Sequence, residues 1–236
     1  TAAAVNQRVF KRSRIQALFI NRQSFEQGEF SGEDYGRNLS FKFNYLSEDG
    51  KFEFWSGTHK SFKHNISGED FFLENGLGYS GRNFKALFDH LYVGTNYFAD
   101  VGFINRIENF DAEKDEIVRL GYHQFLLPVS YRVLPKNSKR INQHEISYEG
   151  ELNLDPSGNF VERTNGIEYA VEFKNSSQIE LAVQETETDL RFPFSFTGET
   201  PLPKGRYNYS EMSVEYASDE RKLLRYELAL RTGQFY

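Results

Sequence analysis

Between residues 141 and 190, apolar and polar positions alternate strictly through three successive segments. Ile146, Tyr148, Leu152 and Leu154 fall on one side of the first, against Glu145, Ser147, Glu149, Glu151 and Asn153. In the second, Ile167, Tyr169, Val171 and Phe173 oppose Glu168, Ala170, Glu172 and Lys174. In the third, Ile179, Leu181 and Val183 oppose Glu180, Ala182 and Gln184. Successive side chains of a strand point to opposite faces, so a period of two predicts three strands, each with one apolar and one charged face.

The same period predicts strands over 2–10 and 14–22, 36–46 and 51–60, 71–79 and 83–93, 115–134, 207–217 and 223–236. The cleanest is 36–46, where Leu39, Phe41, Phe43 and Tyr45 stand against Asn38, Ser40, Lys42 and Asn44. The first pair is blurred, because Leu18 and Ile20 sit opposite Ile15, Ala17 and Phe19. Within 115–134, Val118, Leu120 and Tyr122 share a side, and Pro128 predicts a bulge or a strand end. Short turns follow every other strand, as at 47–50, 80–82 and 175–177. Longer connections at 23–35, 61–69, 94–114 and 192–206 follow the rest, the exception being the tight turn at 155–158. About twelve strands joined in this alternation predict an all-β fold, an antiparallel up-and-down transmembrane β-barrel with its short turns on the periplasmic rim.

Three features favour that barrel over a soluble β-barrel that binds an apolar ligand. The polar faces are dense with Glu, Lys and Arg. Twelve strands exceed the roughly eight that fill a barrel or enclose one small ligand, and many strands reach the roughly 9–11 residues that cross a bilayer. Leu39, Phe41, Phe43, Ile146, Tyr148, Ile167, Val171, Leu181 and Leu228 are then expected to face lipid, with Tyr45, Tyr79, Tyr92, Tyr216 and Tyr236 in aromatic girdles. Glu145, Glu149, Glu151, Glu168, Glu172, Glu180 and Arg225 are expected to line the lumen. That lining reads either as a solvated wall balanced by Lys174, Arg225 and Arg231, or as a cation-selecting or acid/base surface. The stretch 94–114 carries Val101, Phe103, Ile104, Ile107 and Phe110, too apolar for a free tether. It is expected to fold back as a plug through Gly102, Phe103 and Arg106, with Phe103 buried and Arg106 on a lumen carboxylate.

Composition changes this picture little. The 236 residues carry no linker-like stretch and read as one barrel domain, 1–236. The chain opens and closes on strand-like residues, so it is expected to be an internal fragment of a longer chain and a larger barrel. Its 23 Phe and 14 Tyr suit strands, and a net charge of −6 argues against nucleic acid as a partner. There is no Cys to form a disulfide or a thiolate metal site. His59, His64, His90, His123 and His144 show no metal-ligand spacing. Gly76, Gly78 and Gly81 mimic a dinucleotide fingerprint, but no helix follows them. Asp111, Glu113, Asp115 and Glu116 read as a plain acidic loop rather than a calcium site. No catalytic residue, metal or cofactor is expected.

Asn96-Tyr97-Phe98-Ala99-Asp100-Val101-Gly102-Phe103-Ile104-Asn105-Arg106 resembles an Asn-Phe-x-x-x-Val-Gly-Phe-x-x-Arg segment of a bacterial family of outer-membrane barrels of unassigned function. The opening Arg8–Ile15 is similar to that family's Arg-x-Phe-x-x-Ser-x-Ile hairpin, and Arg231–Tyr236 to its Gly-x-Phe-Tyr strand. Tyr97 and Asn105 stand where the family has phenylalanine and proline. The resemblance implies location in the outer membrane, a bilayer partner, other surface proteins as further partners, and a carbohydrate-binding-like domain preceding the barrel. Some members carry a membrane-associated hydrolase label. The functional expectation is a non-enzymatic, porin-like channel, an uptake component with a carbohydrate link, or a subunit of a surface assembly. A barrel-anchored hydrolase acting through loops or another domain is the alternative.

Overall fold

A computed structural model of the chain describes residues 1–195 and 201–234. Its strands are β1 (Ala2–Val9), β2 (Ser13–Glu26), β3 (Glu29–Leu46), β4 (Phe52–Lys63), β5 (Phe71–Ser80), β6 (Phe84–Val93), β7 (Glu108–Asp111), β8 (Glu116–Arg119), β9 (Tyr122–Val133), β10 (Ile141–Leu154), β11 (Phe160–Phe173), β12 (Gln178–Leu190), β13 (Gly205–Ala217) and β14 (Glu227–Gly233). Twelve of them form one antiparallel meander, and β7 pairs only with β8. The outer edges of β1 and β14 have no partner strand among the described residues, so the sheet is open.

The all-β antiparallel expectation holds, and several boundaries move. The 23–35 loop is instead a projecting arm of β2 and β3, joined by a two-residue turn at Gln27 and Gly28, both at positive φ. Positive φ at both central residues gives the turn whose twist matches the flanking strands. No face of the arm is buried, which is why its residues show no apolar period.

Residues 94–114 are not irregular throughout, because β7 and β8 close a small hairpin over the Asp111 side chain. Asp111 Oδ1 accepts the N–H groups of Glu113 and Lys114 at 3.0 and 3.4 Å, so the acidic loop is a turn closed on a buried Asp111, with Glu113, Asp115 and Glu116 exposed. The expected 115–134 strand breaks at Gly121, where an added Cβ would lie 2.7 Å from the Val93 carbonyl oxygen. The break reverses the alternation, and Tyr122 points to the polar face. Pro128 stays inside β9. Its missing N–H coincides with a gap in the β6 ladder between Ala86↔Val129 and Asp89↔Leu126, while β10 still pairs with it at Glu149. At the end of the chain, residues 218–226 form a turn closed by Ser218 N–H to the Tyr226 carbonyl at 3.0 Å, and β14 starts only at Glu227. Residues 196–200 of the 192–206 loop, and Phe235 and Tyr236, lie outside the described residues.

Cross-strand register gathers the two kinds of side chain on opposite faces. Tyr131, Ile146, Tyr169, Leu181, Val214 and Leu230 form one continuous row across β9 to β14. Phe54, Leu77 and Phe88 continue the same face on the other half. None of the described residues covers it: Leu39 is 50% exposed, Ile167 57% and Leu230 69%. The buried hydrophobics among the described residues are only Val93, Tyr97, Ile107 and Tyr122, whereas Asn38, Ser61, Asp70, Asp111, Asn153, Thr186 and Thr188 are among the buried polar ones. Soluble domains bury the opposite set.

Candidate functional site

The small core marks where residues 94–107 cross the polar face, near the rim that carries the long connections. On one side, buried Asn38 of β3 donates from Nδ2 to the Phe98 carbonyl at 2.7 Å and accepts the Asp100 N–H at 3.2 Å. Buried Ser61 of β4 accepts the Phe98 N–H at 3.1 Å and donates to the Asn96 carbonyl at 3.3 Å. The Asp100 carboxylate meets Arg22 Nε at 3.3 Å and Lys63 Nζ at 3.6 Å. It sits where the Gly36 side chain would be, since a Cβ there would lie 1.5 Å from Asp100 Oδ2. The Phe98 ring receives Lys63 Nζ at 4.5 Å and the Arg119 guanidinium at 4.0 Å, and Arg119 also donates to the Tyr97 carbonyl at 2.7 Å.

At the centre, Val93, Tyr97, Ile107 and Tyr122 pack with Phe72, Ala99 and Ile104. On the far side, Arg106 Nη2 donates to Glu162 Oε1 of β11 at 2.7 Å and Arg106 Nη1 lies 3.8 Å from Glu151 Oε1 of β10. Arg106 therefore meets two carboxylates of the polar wall. The expectation that Phe103 is buried is corrected: it is 86% exposed, beside exposed Val101 and Gly102. Tyr97 and Ile107 take the buried places, because they pack with Val93 at the end of β6 and Tyr122 at the start of β9.

Burial, and then the nearby Glu74 carboxylate, push the Tyr97 hydroxyl from the usual 10 up to about 12. The folded state thus favours the neutral phenol, and this stabilisation is present below about pH 10 and lost as the pH rises through about 12. Hydrogen exchange across 94–107 is expected to accelerate in that window in the native chain. Tyr97→Phe, with no proton to lose, should remove the step; an identical alkaline profile in both proteins would refute the assignment.

The expected wall residues Glu145, Glu149 and Glu151 on β10, Glu168 and Glu172 on β11 and Glu180 on β12 share the polar face, joined by Glu162, Glu211 and Glu215. Several carboxylates oppose a small residue across the ladder, as in Ser147↔Glu168 and Glu149↔Gly166, whereas Glu180 and Glu215 face each other directly. Arg132 pairs with Glu145 at 3.1 Å and Arg231 with Glu215 at 3.0 Å. The place given to Arg225 is corrected: it lies exposed in the 218–226 turn, because the β13–β14 ladder stops at Ala217↔Glu227. Lys174 is likewise exposed in a turn. Toward β2 to β6 the same face is different in kind. Lys42 and His59 both meet Glu74, at 2.7 and 3.0 Å, and Trp55 lies over Gly76, where a Cβ would come within 2.0 Å of the indole.

The fold also joins histidines that no short spacing relates. His90 Nε2 lies 3.0 Å from His123 Nδ1 on the apolar face, and His144 Nδ1 meets the Tyr169 hydroxyl at 2.7 Å. Among the described residues no group of three or more His, Cys, Asp or Glu side chains is arranged to hold a metal. Compared with protein-family models, curated proteins and solved structures, the chain matches none.

Proposed function

We propose that the chain is a wall of an outer-membrane β-barrel whose polar lumen is narrowed by residues 94–107, and that it serves as a channel or uptake component. The inverted burial carries this reading: a row of half-exposed Ile, Leu, Val, Tyr and Phe runs across the sheet, and charge and amide groups occupy the other face. Contiguous exposed apolar surface of this kind needs lipid or protein to cover it. The sheet's main strands, such as the 18 residues of β3 and the 14 of β10, are also long enough to cross a hydrocarbon layer, which takes about 9–11. Unpaired backbone groups cost several kcal/mol each in lipid, so the β1 and β14 edges pair in the membrane, with each other or with further strands of the same barrel. The resemblance to outer-membrane barrels supports the location.

Purified protein refolded into detergent or liposomes is expected to migrate faster on a gel before boiling than after. Its short turns at 47–50 and 175–177 should be cleaved from only one side of the vesicle. A chain that stays monomeric in detergent-free buffer and shows no heat-shifted mobility would instead be a soluble β-sheet protein with an apolar binding face.

A further inference from the structure

Arg106 occupies a seat whose acceptors it uses sparingly. A guanidinium carries five donors in a rigid fork. Arg106 makes one short contact, to Glu162, stands off from Glu151 at 3.8 Å, and keeps its side chain 39% exposed. Beside it Asn153 is 1% exposed. Its Nδ2 donates to Glu151 Oε1 at 2.7 Å, as does Gln124 Nε2 at 2.7 Å, which fixes both groups. Asn153 Oδ1 is then left with no partner among the described residues, a costly state for a buried acceptor. Asn153, Glu162 and Arg106 line one cleft of about 340 Å³, and Arg106 and Glu151 line a second of about 630 Å³ beneath the crossing segment. The guanidinium therefore stands between two spaces.

The unclaimed groups at this point are acceptors. The nearby Arg191 is engaged by Asp155 at 2.9 Å, and Arg106, the other cation among the described residues of this cleft, is held by Glu162 at 2.7 Å. Deeper along the same face Glu149, Glu168, Glu180 and Glu211 continue the acceptor surface, where Arg132 and Arg231 are the paired cations.

We propose that Glu151, Asn153 and Glu162 form an entrance seat for a small cationic solute with a guanidinium or primary ammonium head, and that Arg106 is the intramolecular stand-in such a solute displaces. The seat belongs to the lumen reading above and adds to it a substrate class and a way of releasing the crossing segment. A solute that reaches Asn153 Oδ1 as well as both carboxylates makes the bonds Arg106 leaves unmade, and its arrival frees the far end of residues 94–107.

The test titrates the folded chain in detergent micelles with methylguanidinium, and in parallel with methylurea, its uncharged isostere. Methylguanidinium should bind and methylurea should not. Arg106→Gln removes the internal competitor and is expected to tighten methylguanidinium binding about fivefold, the upper worth of a partly exposed ion pair. Glu162→Gln should abolish binding, while Glu185→Gln, the same charge loss on the opposite face, should leave it unchanged. The native chain supplies a readout that needs no variant: hydrogen exchange across 94–107 should rise with methylguanidinium and not with methylurea. Equal responses to the two probes, or Arg106→Gln binding no tighter than the native chain, would overturn the seat. Failure to enter bilayers would overturn the lumen reading alone, because the titration decides the seat on the folded chain by itself.

Discussion

Leu181→Arg is expected to prevent insertion of the folded chain into bilayers, while Ala182→Arg, the next residue of β12, folds as the native chain does. Leu181 lies between Tyr169 and Val214 in the middle of the apolar row, and Ala182 lies between Glu168 and Ser213 on the charged face. An arginine on the lipid face near the midplane costs about 2–4 kcal/mol, enough to unmake a marginally stable barrel. An arginine at 182 lands among Glu168, Glu180 and Glu215, which pairs rather than buries its charge. The contrast is sharp because water would reverse it: on a soluble sheet, replacing half-exposed Leu181 by arginine would be neutral or solubilising. Folding yield in liposomes, read from heat-shifted gel mobility, decides between them, and equal yields for the two variants would remove the bilayer from the account.

Joining Thr95 directly to Leu120, with residues 96–119 deleted, is expected to leave the wall intact and to raise single-channel conductance severalfold. Val93 and Tyr122 are cross-strand partners, so Gly94, Thr95, Leu120 and Gly121 would close an ordinary four-residue hairpin loop. What is lost is the crossing segment, with Tyr97, Asp100, Arg106 and Ile107 and its contacts to Asn38 and Ser61, which covers the polar face. A Tyr or Ile leaving this small core forfeits about 1.5–3 kcal/mol of burial and the β7–β8 hairpin goes with it, but the twelve strands of the main sheet lose none of their own pairings. Planar-bilayer recordings of native and deleted chains make the comparison. Unchanged conductance would mean that the segment does not narrow the path, whatever the barrel does.

The sequence by itself determined the class of fold, because alternation in a strand is a local property: each residue's face follows from its neighbours two places away. The central strands, the apolar positions such as Ile146, Ile167 and Leu181, and the carboxylates from Glu145 to Glu180 could all be read this way. So could the packing of the 94–114 stretch back against the sheet, from apolar residues held in a connection too long for a free tether, and the pairing of Arg106 with a carboxylate. Other features were set by distance in space. The 23–35 arm has no buried face to leave a period, the parity of Tyr122 turns on the tight approach of Gly121 to Val93, and the strand that would have held Arg225 starts two residues later. Phe103 looked like the anchor as a large apolar side chain in a long connection, yet Tyr97 and Ile107 are buried because they meet Val93 and Tyr122. Only the tertiary structure could bring Asp100 onto Gly36, His90 onto His123, and Arg106 beside Asn153 and Glu162. Each of these pairs joins strands or loops dozens of residues apart, and the register between them accumulates over the whole sheet rather than being written in any one segment.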